Sequence, residues 1–332
     1  MRVFMLGATG TIGQATVRAL SRRGHTVVCL VRGPSPRGGG TAAADRDLLH
    51  DLATLPGVQV RCGNVLDAES LRRDGLCGER FDAWVSCLAS RTGEPSDAWA
   101  VDHAAHSAAL RACREAGIGQ VVLLSAICVQ KPKLSFQKAK LAFEAELIAS
   151  GLNYSIVRPT AFFKSLSGQL QRVRQGKPFL LFGSGALTAC KPIADEDLGD
   201  YLALCLQDPS LQRRVLPIGG PGPALTPREQ GLLLFDALQM QPRFKQVPLV
   251  LMDLIIAALS LAGRVLPVAA SKAELARIGR YYATESMLVW DAAAARYSAE
   301  ATPEYGQRTL LDHYRALACG DKGDQRGDHA VF

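Results

Sequence analysis

The stretch that decides the fold is Met1-Arg-Val-Phe-Met-Leu-Gly7-Ala-Thr-Gly10-Thr-Ile-Gly13, at the start of the chain. A short apolar run leads into a glycine-rich turn, and a helical pattern with apolar residues on one side follows it. A second apolar run, Thr26-Val-Val-Cys-Leu-Val31, then ends at Arg32. Strand, glycine turn, helix and strand within this length predict one βαβ unit of a parallel sheet.

Each glycine of the turn has a separate predicted role. Gly7 lets the chain leave the strand, Gly10 lets the backbone approach a pyrophosphate, and Gly13 lets the helix pack close to the sheet. The helix N-terminus offers free N–H groups and a positive dipole end to phosphate oxygens. The alternative is a βα turn without a ligand, which the strand–turn–helix context disfavours. The residues predicted to bind a dinucleotide here are Gly7, Thr9, Gly10, Thr11, Ile12 and Gly13.

The end of the second strand indicates which dinucleotide is bound. An NAD site places an acidic residue there for the ribose 2′-hydroxyl, but no acidic residue occurs between Gln14 and Ala44. Arg32 stands in that place and Arg37 follows it. A guanidinium pairs with a 2′-phosphate, so we predict NADPH as the cofactor. The alternative for Arg32 is an ordinary surface arginine.

Composition limits the class of protein and its partners. The chain has 332 residues, 48% of them hydrophobic and 21% charged, which is typical of a globular protein. The net charge of +7 suits an anionic ligand or an anionic membrane surface. Nucleic acid is not predicted as a partner, because the basic residues are scattered and have no aromatic residues interleaved among them.

Cysteine and histidine usage bears on location and metals. The nine cysteines show no C-x-x-C spacing and the start of the chain shows no signal-peptide pattern, so a cytoplasmic setting is expected. His103 and His106 are spaced as a metal pair on a helix, but no third ligand is evident. A packed or solvated helix face is favoured, and no metal site is predicted.

Strand and helix patterns alternate along the first half of the chain, which predicts an α/β fold with a doubly wound parallel sheet of the Rossmann type. We expect a dinucleotide-binding domain over residues 1–158, a smaller C-terminal substrate-binding part over 159–318 and a flexible tail over 319–332. A strand near 215–219 is a candidate to return to the main sheet. Further strands are predicted at 58–62, 81–89, 120–125 and 154–158, and helices at 45–55, 97–116 and 136–150.

Ligands of such sheets bind beyond the carboxyl ends of the strands. The glycine turn and Arg32 should therefore share one crevice with the residues that follow the later strands. An adenine is expected at the turn after the third strand. The additional residues predicted to line this crevice are Asn64, Val65, Ala89, Ser125 and Pro159.

A possible catalytic pattern lies on the helix after the fifth strand, where Phe136-Gln-Lys-Ala-Lys140 follows Ser125. It resembles the Ser and Tyr-x-x-x-Lys set of the short-chain dehydrogenases, with phenylalanine at the tyrosine position. Phenylalanine cannot exchange a proton, so alcohol–ketone chemistry is not expected. Two readings remain: the fold serves sensing or scaffolding without catalysis, or it reduces a carbon–carbon double bond.

Longer segments resemble the atypical short-chain dehydrogenases of the NmrA-like and isoflavone-reductase-like branch. Within that branch the chain resembles the family of NADPH-dependent divinyl chlorophyllide 8-vinyl reductases, from the first residue to about Trp290. Phenylalanine at the tyrosine position is usual in that family. Besides the glycine turn, the matching segments are Val129-Gln-Lys-Pro132, Ser135-Phe-Gln-Lys-Ala-Lys-Leu-Ala-Phe-Glu144, Tyr154-Ser-Ile-Val-Arg-Pro-Thr-Ala-Phe-Phe-Lys-Ser165, Ala189-Cys-Lys-Pro-Ile193, Leu216-Pro-Ile-Gly-Gly-Pro-Gly222 and Leu225-Thr-Pro-Arg-Glu-Gln-Gly231.

The resemblance implies reduction of the 8-vinyl group of a tetrapyrrole to ethyl during chlorophyll or bacteriochlorophyll synthesis. It implies that Lys140 binds the nicotinamide ribose, with Ser125 as a secondary contact. Phe162 and Phe163 would line an apolar slot, and Lys164, Lys177 or Lys191 could meet the substrate carboxylate. The alternative remains a non-catalytic NADP-binding regulator or assembly factor of the NmrA-like type.

The apolar stretch 249–263 has three readings. It is too short and too interrupted to span a bilayer, so a core helix is favoured over a substrate lid or a membrane-surface helix. The last reading would place a cytoplasmic protein at the periphery of the photosynthetic membrane. The oligomeric state is left open.

Overall fold

The computed structural model describes residues 1–33 and 42–320. The predictions for Arg37 and for residues 321–332 fall outside these ranges. The first βαβ unit consists of β1 (Arg2–Leu6), α1 (Thr11–Arg22) and β2 (Thr26–Val31), as predicted.

The main sheet has seven parallel strands in the order β3-β2-β1-β4-β5-β6-β8, which confirms the doubly wound fold. Where the sequence left the return of a strand near 215–219 open, β8 pairs with β6 at the edge of this sheet. The strands after β2 are β3 (Val58–Cys62), β4 (Ala83–Ser86), β5 (Gln120–Leu124), β6 (Asn153–Pro159) and β8 (Arg214–Ile218), with β7 (Phe179–Phe182) lying outside the sheet.

Helices cover both faces of the sheet, and its inner strands β1, β2, β4 and β5 are buried along nearly their whole length. One core joins the sheet to α1 and to α9 (Asp195–Leu204). The other joins it to α5 (His106–Glu115) and α6 (Ser135–Ala149). The remaining helices of this half are α2 (Ala42–Ala53), α3 (Ala68–Ser70), which continues into a π-helical segment Leu71–Leu76, and α4 (Pro95–Ala98).

The helix predicted over 97–116 is not a regular α-helix throughout. A π-helical segment, Trp99–Ala105, separates α4 from α5. This π-helical segment carries Asp102, whose side chain is buried and bonds to Lys140. The spacing of apolar residues could not reveal this π-helical segment, because it covers only seven residues of a longer helical pattern.

The C-terminal part packs a separate core beyond the carboxyl edge of the sheet. Its small sheet pairs β7 with β9 (Phe244–Val247), and a hairpin pairs β10 (Val289–Asp291) with β11 (Arg296–Ser298). Its helices are α7 (Phe163–Leu166), α8 (Leu170–Arg174), α10 (Pro227–Ala237), α11 (Leu249–Ala262), α12 (Pro267–Tyr282) and α13 (Leu310–Cys319). Helix α10 begins with a capping box, in which Thr226 and Glu229 each bond the other's backbone.

Helix α11 is not a core helix, contrary to the favoured reading of 249–263. Only Met252 of α11 is buried, while Leu254 is 62% and Leu261 is 64% exposed. The exposed apolar surface continues past the helix end to Val265, which is 79% exposed. Within residues 1–33 and 42–320, no helix has the length and apolar content needed to cross a membrane. We call the α11–α12 pair the apolar hairpin.

Candidate cofactor and substrate site

Two glycines of the turn after β1 are required by packing alone. Gly7 has a φ of 76°, and a Cβ there would lie 2.4 Å from the carbonyl carbon of Cys87. A Cβ on Gly13 would lie 1.9 Å from the oxygen of Gly7. Real side chains do not approach so closely. Gly7 and Gly13 thus bring β1, β4 and α1 together whether or not a ligand is bound.

Gly10 differs from its two neighbours, because a Cβ there would meet nothing nearer than the Gly7 oxygen at 3.6 Å. It is exposed, adopts an extended backbone and precedes α1 as its N-cap. No acidic residue occupies the first turn of α1. Open space in front of free N–H groups at a positive helix end fits a pyrophosphate, so these residues can hold a dinucleotide.

The parallel register brings the other predicted cofactor residues to the same edge. Arg32 follows β2 and is exposed, and Asn64 and Val65 follow β3, which is paired with β2. The Asn64 Oδ1 accepts a hydrogen bond of 3.1 Å from the Leu66 N–H, which leaves its amide nitrogen for a ligand. Ala89, exposed after β4, and Pro159, the last residue of β6, complete this edge.

Lys140 is held by a buried carboxylate that the sequence analysis did not single out. Its Nζ donates to Asp102 Oδ1 over 2.9 Å, and the Asp102 side chain is fully buried. The Ser90 hydroxyl donates to the other Asp102 oxygen over 2.6 Å. Burial raises the pKa of Asp102, but Lys140 and Ser90 lower it, and the net pKa is below its ordinary value. The only sequence signal was an acid inside a helix whose neighbours are largely apolar.

Ser125 is engaged by a different carboxylate of α6. Its hydroxyl donates to Glu144, which lies one turn beyond Lys140 and is nearly completely buried. Arg158 of β6 donates to both oxygens of Glu144. The hydroxyl proton of Ser125 is therefore used in a hydrogen bond within the protein. Only the lone pairs of the hydroxyl oxygen remain to accept a hydrogen bond from a ligand.

Phe136 faces an apolar cluster beside Lys140. It packs, together with half-buried Ala161, Leu166 and Tyr282, against a cluster that includes Ile278 of α12 and Cys128. The Tyr282 hydroxyl contacts the Cys128 sulfur at 3.9 Å, and burial raises the pKa of Tyr282 well above its ordinary value. Apolar side chains from α6, α7 and α12 thus meet at the end of β5 and β6.

The segment before α6 is fixed by contacts from far along the chain. Lys131 Nζ lies 3.3 Å from the ring centroid of Trp290, and Gln130 exchanges hydrogen bonds with the backbone of Leu288 and Trp290. Glu285 pairs with Lys131. These residues lie in or near segments that carried the family resemblance, but their mutual contact could not be inferred from one sequence.

The three predicted substrate residues have different surroundings. Phe162 is half-buried, whereas Phe163 is 4% exposed and packs against His313, so Phe163 offers little surface to a ligand. Lys164 Nζ donates to the Thr11 hydroxyl over 3.0 Å. Lys164 therefore lies at the glycine turn rather than at the apolar cluster.

The two histidines with metal-like spacing have separate partners. His103 bonds to Glu146 at 2.7 Å, and buried His106 bonds to the Ser86 hydroxyl at 2.9 Å. In the part of the chain that the structure describes, no group of three potential ligands could hold a metal ion. All nine cysteines are free.

The fold and the glycine turn define an NAD(P)H-binding protein, and a family model described as NAD(P)H-binding matches residues 7–209. A relative from Oryza sativa subsp. indica, divinyl chlorophyllide a 8-vinyl-reductase, chloroplastic, is 47% identical over 338 residues, covering 99% of this chain and 82% of its own. The chain belongs to the divinyl chlorophyllide a 8-vinyl-reductase family.

Solved structures agree on the fold. The NADPH-dependent quinone oxidoreductase QOR2 from Escherichia coli, complexed with NADPH, has a TM-score of 0.67 at 16% identity, covering 96% of this chain and 99% of its own. Isoflavone reductase has a TM-score of 0.66 at 17% identity, covering 95% and 99%. These likenesses confirm the Rossmann-type architecture.

The expected cytoplasmic location was wrong. The rice relative is named as chloroplastic, as are relatives from other plants. The error arose because the absence of a signal-peptide pattern and unpaired cysteines are shared by every reducing compartment, and the cytoplasm is only one of them.

Proposed function

We propose that this protein reduces the 8-vinyl group of divinyl chlorophyllide a to an ethyl group, with NADPH as the reductant, in chlorophyll synthesis. The observation that carries the proposal is the 47% identity to a reductase of that name along 99% of the chain. Relatives with the same name cover the apolar hairpin and the C-terminal hairpin as well as the dinucleotide domain. A non-catalytic regulator is therefore not favoured.

The reaction needs a hydride at one vinyl carbon and a proton at the other. Bound NADPH supplies the hydride. No ionisable phenol occupies position 136, and none is needed, because no alkoxide forms when a carbon–carbon double bond is reduced. The conjugated macrocycle spreads the negative charge, and we propose water as the source of the proton.

Lys140 is proposed to orient the nicotinamide ribose. Its side chain is 12% exposed and its ammonium is fixed by Asp102, so it needs little reorganisation when the ribose binds. The glycine turn would hold the pyrophosphate and Asn64, Val65 and Ala89 the adenosine side. Arg32, exposed at the end of β2, would meet the 2′-phosphate and so favour NADPH over NADH.

The flat, apolar substrate is proposed to bind against the cluster around Phe136. Ala161, Leu166 and Tyr282 contribute half-buried apolar surface there, and Phe162 lies at the start of α7 nearby. Pockets for large apolar ligands are typically lined by aromatic and aliphatic side chains with only a few polar groups. Phe163 would support this wall from behind.

The apolar hairpin is proposed to rest on an anionic lipid surface. Its exposed leucines and valines lie beside Arg264 and Lys272, both exposed, while Asp253 is neutralised by Arg280. Exposed apolar residues with neighbouring cations are typical of interfacial helices.

Sedimentation with phosphatidylglycerol vesicles tests the lipid contact. Leu254→Glu should reduce the bound fraction severalfold, because it puts a charge into the apolar surface. Leu232→Glu, at an exposed leucine of α10, should not. Equal binding by both variants would contradict the contact.

Incubation with divinyl chlorophyllide a and NADPH tests the reaction itself. The Soret band should move to the blue as the vinyl group leaves conjugation, and the product should gain two hydrogens by mass. No change should occur without a reductant. NADPH binding without any product would favour the regulator instead.

A further inference from the structure

Lys164 lies in a positive electrostatic environment that favours the binding of an anion. Its ammonium donates to the hydroxyl of Thr11, the first residue of α1, over 3.0 Å. The amino end of a helix behaves as roughly half a positive charge. An ammonium and a helix N-terminus of the same sign therefore repel each other in the free protein.

Nothing within the described residues neutralises this pair of positive groups. The first turn of α1 has no acidic residue, and Lys164 forms no ion pair with a described carboxylate. Other half-buried or buried lysines of the crevice do have such partners: Lys140 has Asp102 and Lys191 has Glu304. Lys164 is thus a cation placed beside the phosphate site without an internal counter-ion.

The position of Lys164 is fixed by its own element and is not a chance rotamer of a surface loop. Phe162 forms a bridge with Ile193, and the Ile193 N–H donates to the Ala161 oxygen over 2.9 Å. At the other end of α7, the Tyr314 hydroxyl donates to the Leu166 oxygen over 3.0 Å. Both ends of this short helix are tied down, so Lys164 is directed at the glycine turn.

We propose that Lys164 is a dinucleotide-binding residue whose ammonium pairs with the pyrophosphate of NADPH, and not a contact for the substrate carboxylate. This rests on the proposed use of NADPH. The consequence is that α7, which belongs to the proposed substrate wall, also contacts the bound cofactor through Lys164.

Direct titration with NADPH and with NADH tests the proposal without any turnover. Lys164→Met should weaken both cofactors by about tenfold or more, the scale of one lost hydrogen bond to a charged group. The affinities for NADPH and for NADH should fall equally, since both cofactors carry the pyrophosphate. Lys164→Arg should retain affinity within about threefold, because the positive charge remains.

Matched controls separate this role from others. Lys177→Met removes an exposed lysine of the same part, whose Nζ bonds only to Gln175 at 3.0 Å, and should leave both affinities unchanged. Thermal unfolding gives a second readout: Lys164→Met should be at least as stable as the wild type without ligand, and NADPH should stabilise it less. Lys164→Gln serves the same test where the methionine variant is poorly soluble.

Two results would overturn the proposal. In the first, Lys164→Met binds NADPH and NADH as tightly as the wild type does. In the second, the variant raises only the KM for divinyl chlorophyllide, which would return Lys164 to the substrate carboxylate. Failure of the wild type to bind NADPH would instead refute the proposed function, so the two failures are distinguishable.

Discussion

The two ends of the crevice are built in different ways. At the proposed phosphate end, the backbone of one continuous segment, from β1 to β2, shapes the turn through Gly7 and Gly13. At the other end, where nicotinamide and substrate are proposed to meet, side chains distant in sequence make contact: Lys140 with Asp102, and Lys131 with Trp290. A site made of local backbone is determined by local sequence, whereas a site made of distant side chains depends on the whole packing.

The strongest test of the backbone-built end compares two glycines of the same turn. Gly13→Val should destabilise the protein by about 3 kcal/mol or more, because its side chain would overlap the Gly7 oxygen. Gly10→Val should leave stability nearly unchanged, since Gly10 has an extended φ of −71° and free space, but should abolish NADPH binding. Far-UV circular dichroism with NADPH titration checks both. Retained NADPH affinity in Gly10→Val would contradict the assigned phosphate loop.

A smaller effect is expected at the proposed adenosine side, where a side chain rather than the backbone distinguishes NADPH from NADH. Arg32→Ala should raise the KM for NADPH at least tenfold and leave the KM for NADH nearly unchanged, because only NADPH carries the 2′-phosphate. Steady-state kinetics with each cofactor measures this. Equal losses for both would remove Arg32 from the 2′-phosphate.

The smallest effect concerns the packing behind the substrate end. His106 is buried against Phe143, and burial lowers its pKa to about 4 from 6.5. Below about pH 6.5, His106 is therefore protonated in the unfolded chain, whereas in the folded protein it stays neutral until about pH 4. The free energy of unfolding should accordingly fall as the pH is lowered below 6.5, by about 1.4 kcal/mol at pH 5.5.

Chemical denaturation at pH 7.5 and pH 5.5 measures this loss. His106→Gln cannot take up a proton, so its stability should change less between the two pH values than that of the wild type. An identical pH dependence in both proteins would show that His106 titrates normally.

The sequence predicted the fold of the proposed phosphate end almost completely because its determinants are consecutive, while the cofactor contacts themselves stay a prediction. Glycine spacing, strand and helix pattern and the missing acid at Arg32 all lie within one βαβ unit. The parallel register then placed Asn64, Ala89 and Ser125 correctly at one edge.

The side-chain contacts at the other end of the proposed site, and the exposure of α11, could not be predicted from the sequence, for physical reasons. Asp102 lies on a π-helical segment, whose effect on side-chain direction periodicity does not reveal. Phe163 and Lys164 are adjacent in sequence, yet one enters the core and the other reaches Thr11. The exposure of α11 could not be deduced from an apolar composition that suits a core equally well.

We propose that reduction depends on Lys140, which Asp102 fixes, and needs no phenol at position 136. The most direct measurement is the turnover number of Lys140→Ala with saturating NADPH and divinyl chlorophyllide a, followed in the Soret band. We expect about a hundredfold loss, the scale of a lost positioning contact, while Phe136→Tyr gains nothing. Full turnover in Lys140→Ala, or a faster Phe136→Tyr, would contradict this account.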